Sequence, residues 1–85
     1  MTPYLVELQG IGFLASKSVY INPDDSVSLT SEISVMINPA DGVMLEYDKA
    51  TKLVATLNKK EGHKRWKAVA RSIAVSDFTK YGSKP

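Results

Sequence analysis

The chain has 85 residues, no cysteine, 44% hydrophobic and 24% charged residues and a formal net charge of +2, which fits one domain with a thin core, since a chain of this size buries only about 60% of its unfolded surface. Without cysteine, disulfides and thiolate metal ligands are excluded. No window approaches the ~20 apolar residues of a membrane span or the pattern of a secretory leader, so a cytoplasmic protein with no membrane partner is expected. The near-neutral total hides an asymmetry. Ahead of Lys49 one base faces seven acids, a net of −6, and from Lys49 onward ten bases face two acids, a net of +8. Such a separation points to a polyanionic partner or to head-to-tail self-association.

Pro3 cannot donate to a ladder and suits the start or edge of a strand, and Tyr4 to Gln9 follows with aromatic and aliphatic residues, predicting a first strand. Gly10-Ile11-Gly12 predicts a bulge or tight turn with positive φ. The chain resumes from Phe13 to Ile21, where Phe13, Ala15, Val19 and Ile21 share one side but Lys17 intrudes on it. Asn22-Pro23-Asp24-Asp25 is turn chemistry and predicts a reversal. Val27 to Ile37 carries the cleanest period of two, with Val27, Leu29, Ile33, Val35 and Ile37 on one side, and predicts a long strand with one buried face. Asn38-Pro39-Ala40-Asp41-Gly42 repeats the turn signal. Val43–Tyr47 and Lys52–Leu57 then predict a hairpin about Asp48-Lys49-Ala50-Thr51.

Trp66 to Phe78 fits two templates. As a strand it continues the meander, with Lys60-Glu61-Gly62-His63 as the hairpin turn. As a helix from about Lys64 to Phe78 it places Trp66, Val69, Ala70 and Ile73 on one stripe, with Asn58 and Glu61 spaced as a capping box. The helix would keep Gly62 in its first turn and put Asp77 on the apolar stripe, so the strand is the reading taken. The expected fold is mainly β: a small antiparallel barrel or curled sheet of five to six strands over residues 1–80, with residues 81–85 as a flexible tail. The alternative is α+β, five strands and that C-terminal helix.

Few residues can converge for catalysis. The only histidine, His63, sits among lysines and an arginine in an expected turn, a setting that does not mark it as an oriented base. Asp24 and Asp25 with Asp41, or Glu46 with Asp48, could approach one another, but acids in Asn-Pro-Asp turns are solvated turn formers and no cation-loop spacing is present. Gly10-Ile11-Gly12 lacks the rest of a dinucleotide or phosphate-loop fingerprint. No enzyme, metal or cofactor is therefore expected. The segment from Lys59 to Arg71 stands apart. Lys59, Lys60, Lys64, Arg65, Lys67 and Arg71 can neutralise phosphates, and Trp66, the only tryptophan, offers a flat face for an unstacked base.

Gly62-His63-Lys64-Arg65-Trp66, followed by Val69-Ala70-Arg71-Ser72-Ile73-Ala74-Val75, resembles the closing hairpin of small OB-fold single-stranded-DNA-binding proteins. There a basic turn leads into an aromatic and then an apolar strand. The match spans about a seventh of the chain, has no fixed spacing and carries no role beyond Arg65 and Trp66. It implies a barrel and a preference for single strands.

The leading expectation is a small non-enzymatic nucleic-acid-binding domain, with single strands preferred and with Lys59, Lys60, Lys64, Arg65, Trp66, Lys67 and Arg71 as the binding edge. The alternative is an oligomeric structural or inhibitor subunit of phage type, acting through a protein partner or a second copy of itself.

Overall fold

The computed structural model describes residues 2–76 and is organised around β1 (Tyr4–Leu8). Leu5 and Val6 in that strand are fully buried, one on each face of the sheet. A tight turn at Gln9-Gly10-Ile11 leads into β2 (Gly12–Leu14), with the Ile11 N–H donating to the Leu8 carbonyl at 2.9 Å and Gly10 at φ 77°, as the glycine pair predicts. The other side of β1 pairs with β6 (Trp66–Ala70), placing Leu8 opposite Trp66 and Tyr4 opposite Ala70. Two residues, β5 (Val35–Met36), extend the sheet beyond β2, giving the antiparallel order β5-β2-β1-β6. A separate ribbon pairs β3 (Val19–Ile21) with β4 (Val27–Leu29) across the Asn22–Ser26 turn.

The fold is α+β, and the sheet does not close into a barrel. The barrel expectation, and the OB-like architecture that the resemblance implied, are corrected by the open order of the four strands. The main cause lies at the predicted hairpin of Val43–Tyr47 and Lys52–Leu57, where the chain instead forms α1 (Tyr47–Glu61). Ala50, Leu53 and Leu57 recur at helical spacing and are buried, with Val54 packed beside them. Asp48 in the first turn and Lys59 and Lys60 in the last suit the helix dipole. Gly62 then closes the helix in the left-handed region at φ 72°, its N–H donating to the Asn58 carbonyl at 2.9 Å. What looked like a hairpin turn, Lys60 to His63, is the end of a helix and its cap.

Both long predicted strands are interrupted. A 3-10 turn at Ser16–Ser18 separates β2 from β3, and Thr30 to Ser34 separates β4 from β5. Hydroxyls replace ladder bonds there: the buried Ser18 Oγ accepts from the Ser34 N–H at 2.7 Å, and Thr30 Oγ1 donates to the Lys17 carbonyl at 3.1 Å. Side chains of this type compete with sheet pairing for the backbone. The strand reading of Trp66 to Phe78 holds for Trp66–Ala70 and is corrected beyond it, where Arg71–Ser76 form α2; the alternative α+β reading has the right class and a C-terminal helix, but that helix begins at Arg71 and not at Lys64. The expected tail at residues 81–85 lies outside the described residues.

The two faces of the sheet are covered unequally. On one, α1 packs over Val6, Leu14 and Trp66, with Leu45 completing the cluster. On the other, α2 sets Ala74 against Leu5, Phe13 and Val69. Glu7 lies in β1 opposite both Phe13 and Lys67 and is only 6% exposed. Among the described residues no helix is long and apolar enough to cross a membrane.

Candidate nucleic-acid interface

Helix α1 and its cap gather four of the predicted cations at one end. Lys59 and Lys60 occupy the last helical turn, Gly62 reverses the backbone, and Lys64 and Arg65 lead into β6, all four side chains exposed. The Arg65 guanidinium holds the first hairpin by donating from Nη2 to the Gln9 carbonyl at 3.2 Å, while the Arg65 carbonyl accepts from the Gln9 N–H at 2.9 Å. His63 braces the turn: its Nδ1 accepts from the Arg65 N–H at 3.1 Å, so the neutral ring carries its proton on Nε2, which faces Glu61 at 3.3 Å. This is the bond pattern of a turn residue. Among the described residues His63 bonds to no hydroxyl.

Trp66 does not belong to this surface. Its indole is 2% exposed, packed among Val6, Leu14, Leu53 and Leu57, and its Nε1–H donates to Glu61. The expectation that Trp66 offers a stacking face is corrected: the β6 register turns it toward α1, where burying the ring and satisfying its one donor stabilise the fold. The other two predicted contacts also separate from the cluster. Lys67 faces the opposite side of the sheet and reaches Glu7 at 3.8 Å. Arg71 opens α2 and lines a cleft of about 260 Å³ with Asn38, Pro39, Ala40 and Val75. Six residues of extended chain place it about 20 Å from Arg65.

At the opposite end of α1 the acids group differently from the expected sets: Glu46 and Asp48 share a cleft, but with Asp24 and Asp25, which do not meet Asp41. Asp24, Asp25, Glu46 and Asp48 line a cleft of about 270 Å³, with Lys49 and Lys52 in its wall. Lys49 is bonded to Glu46 and to Asp25, the latter at 3.0 Å, and these hydrogen bonds raise its pKa above the ordinary 10.5. Asp24 accepts from the Ser26 hydroxyl and N–H at 2.6 and 3.0 Å, which holds its carboxyl below the ordinary 3.8. Asp41 lies elsewhere, in the 3-10 turn Pro39–Asp41. Among the described residues no group of three acids or histidines could hold a metal ion.

Asn58, expected to form a capping box with Glu61, has another role near the end of α1. Asn58 clamps β6 from outside: its Oδ1 accepts from the Trp66 N–H at 3.0 Å and its Nδ2 donates to the Trp66 carbonyl at 3.2 Å. Its position four residues before Gly62 is a helix-end signal, but nothing local says that the amide will reach a strand. Comparison of the chain with family models, curated proteins and solved structures finds no match in any of the three.

Proposed function

We propose that this is a non-enzymatic nucleic-acid-binding domain whose basic end, Lys59, Lys60, Lys64 and Arg65, engages the phosphate backbone. The observation that carries the reading is an excess of cations, four around the single carboxylate of Glu61 with none of them paired to it. Among the described residues none of these four forms an ion pair, and the acid between them, Glu61, is occupied by the Trp66 indole and the His63 ring. Four like charges on a helix end and one turn repel each other, and a row of phosphates relieves that repulsion while releasing bound counterions. The negative end of the helix dipole offsets part of the charge of Lys59 and Lys60. Binding is accordingly weak and blind to sequence. With Trp66 in the core, the argument for single strands through base stacking falls away, and phosphate contacts remain.

Fluorescence anisotropy with labelled 20-mers, single- and double-stranded, at rising KCl is the test. Log affinity on duplex should fall against log salt with a slope of about −3 to −4, as expected for four contacts at most. Lys59→Glu with Lys64→Glu should abolish binding, and Lys67→Ala should leave it unchanged. Binding that is absent at low salt, or indifferent to salt, rejects the reading.

A further inference from the structure

The outer edge of β6 is half occupied, and by a group that imitates a strand. Gln9 N–H bonds to the Arg65 carbonyl and Arg71 N–H to the Pro3 carbonyl, at 2.9 and 3.0 Å. In an antiparallel ladder such pairs alternate, so Arg65, Lys67, Val69 and Arg71 turn their backbone groups toward β1. Trp66, Ala68 and Ala70 therefore turn theirs outward. At Trp66 both groups are met by the Asn58 amide, which makes the two bonds that a residue of a neighbouring strand would make. At Ala68, in line with that amide, the outward N–H and carbonyl have no partner among the described residues, and at Ala70 the outward N–H is likewise open while the carbonyl caps the start of α2. Unpaired edges of this kind accept added strands.

The flanking side chains select the occupant. A strand paired to Ala68 and Ala70 sets its alternate residues opposite Lys67 and Val69, on the face away from α1. Val69 is half-buried against Leu5, Phe13 and Ala74, and extends an apolar surface toward the edge. Lys67 is 56% exposed at its side chain, and its contact with Glu7, at 3.8 Å, leaves its ammonium donors open. A second copy of this chain is a poor occupant, because symmetric pairing about Val69 sets Lys67 of one copy opposite Arg71 of the other, and like charges directly opposite repel. We propose that the β6 edge docks an extended segment of a protein partner that presents an apolar residue to Val69 and an acid to Lys67. This surface is separate from the basic end of α1, and the proposal does not rest on phosphate binding there.

The test is anisotropy of a labelled, capped pentapeptide, Thr-Val-Thr-Glu-Thr, titrated with the full chain. The expected result is saturable binding, weakened about tenfold or more when the peptide glutamate becomes lysine, or when the central threonine is N-methylated so that it cannot pair with Ala68. Ala68→Pro removes only an outward N–H, a change tolerated on an edge strand, and should weaken binding to the same degree while far-ultraviolet circular dichroism and Trp66 emission stay native. Should that variant fail to fold, the N-methylated peptide on the unaltered chain decides. Lys67→Glu should reverse the preference between the glutamate and lysine peptides. Lys59→Glu with Lys64→Glu should leave peptide binding intact, which separates this proposal from the phosphate reading. No saturation below about 1 mM, or binding indifferent to N-methylation and to peptide charge, overturns it. So does a concentration-dependent dimer that Ala68→Pro dissolves, which would make a second copy the occupant.

Discussion

The two ends of α1 carry lysines in similar number and use them differently. At the N-terminal end Lys49 is held between Glu46 and Asp25, and its charge is spent on joining the helix to the β3-β4 turn. At the C-terminal end Lys59, Lys60 and Lys64 have no carboxylate of their own, because Glu61 turns to the indole and to His63. Local charge density alone does not separate a structural cation from one free to meet a ligand. The position of the acids does, and it is set by the fold.

The sharpest way to break this contrast is to remove the group that claims Glu61. Trp66→Ala should lower unfolding free energy by about 3–5 kcal/mol, the cost of emptying an aromatic site in a packed core, measured by urea denaturation. A fully stable Trp66→Ala protein would return the indole to the surface and the four cations to a mixed aromatic platform. Asn58→Ala leaves the Trp66 backbone pair to water and should cost about 1 kcal/mol, read from the same urea midpoint. Lys59→Gln with Lys60→Gln should change stability by no more than about 0.5 kcal/mol, read from the same urea midpoint.

The opposite end should show the smallest effects, visible as pH dependence. Asp24 has a lowered carboxyl pKa in the folded chain because it accepts from Ser26, so its contribution is present above the unfolded value near 3.8 and is lost as pH falls through the lower folded value. Lys49 is raised by Glu46 and Asp25, so its contribution is present below 10.5 and is lost as pH rises through the higher folded value. Asp24→Asn should flatten the acid limb of thermal stability and Lys49→Gln the alkaline limb. If Lys49→Gln left the alkaline limb unchanged, Lys49 would be no more engaged than the lysines at the other end and the contrast would fail.

Much of the fold was legible residue by residue. Pro3 and the Tyr4 to Leu8 run mark β1, the glycine pair marks the first reversal, and Asn22 to Asp25 marks the second. The strand at Trp66–Ala70 follows from its β-branched and aromatic content, and four cations of the basic segment do remain contiguous. The helix was misplaced because Val43 to Leu57 satisfies two periods at once. Leu53, Ala55 and Leu57 alternate, while Ala50, Leu53 and Leu57 also fall on one helical stripe, and Gly62 reads equally as a hairpin residue or a C-terminal cap. Packing against the sheet resolves that tie, and no short window contains it.

Composition and order by themselves determined the charge divide, the sites of chain reversal and the bases that fall together in one turn, since these depend on neighbours a few positions apart. Which side of β6 the indole faces, which lysines find acids, and where the Asn58 amide lands were decided only when β6 docked beside β1. Those outcomes hang on contacts between segments far apart in the chain, such as Leu8 with Trp66 and Tyr4 with Ala70. A local pattern can specify which residues alternate, but burial goes to whichever face the rest of the chain covers.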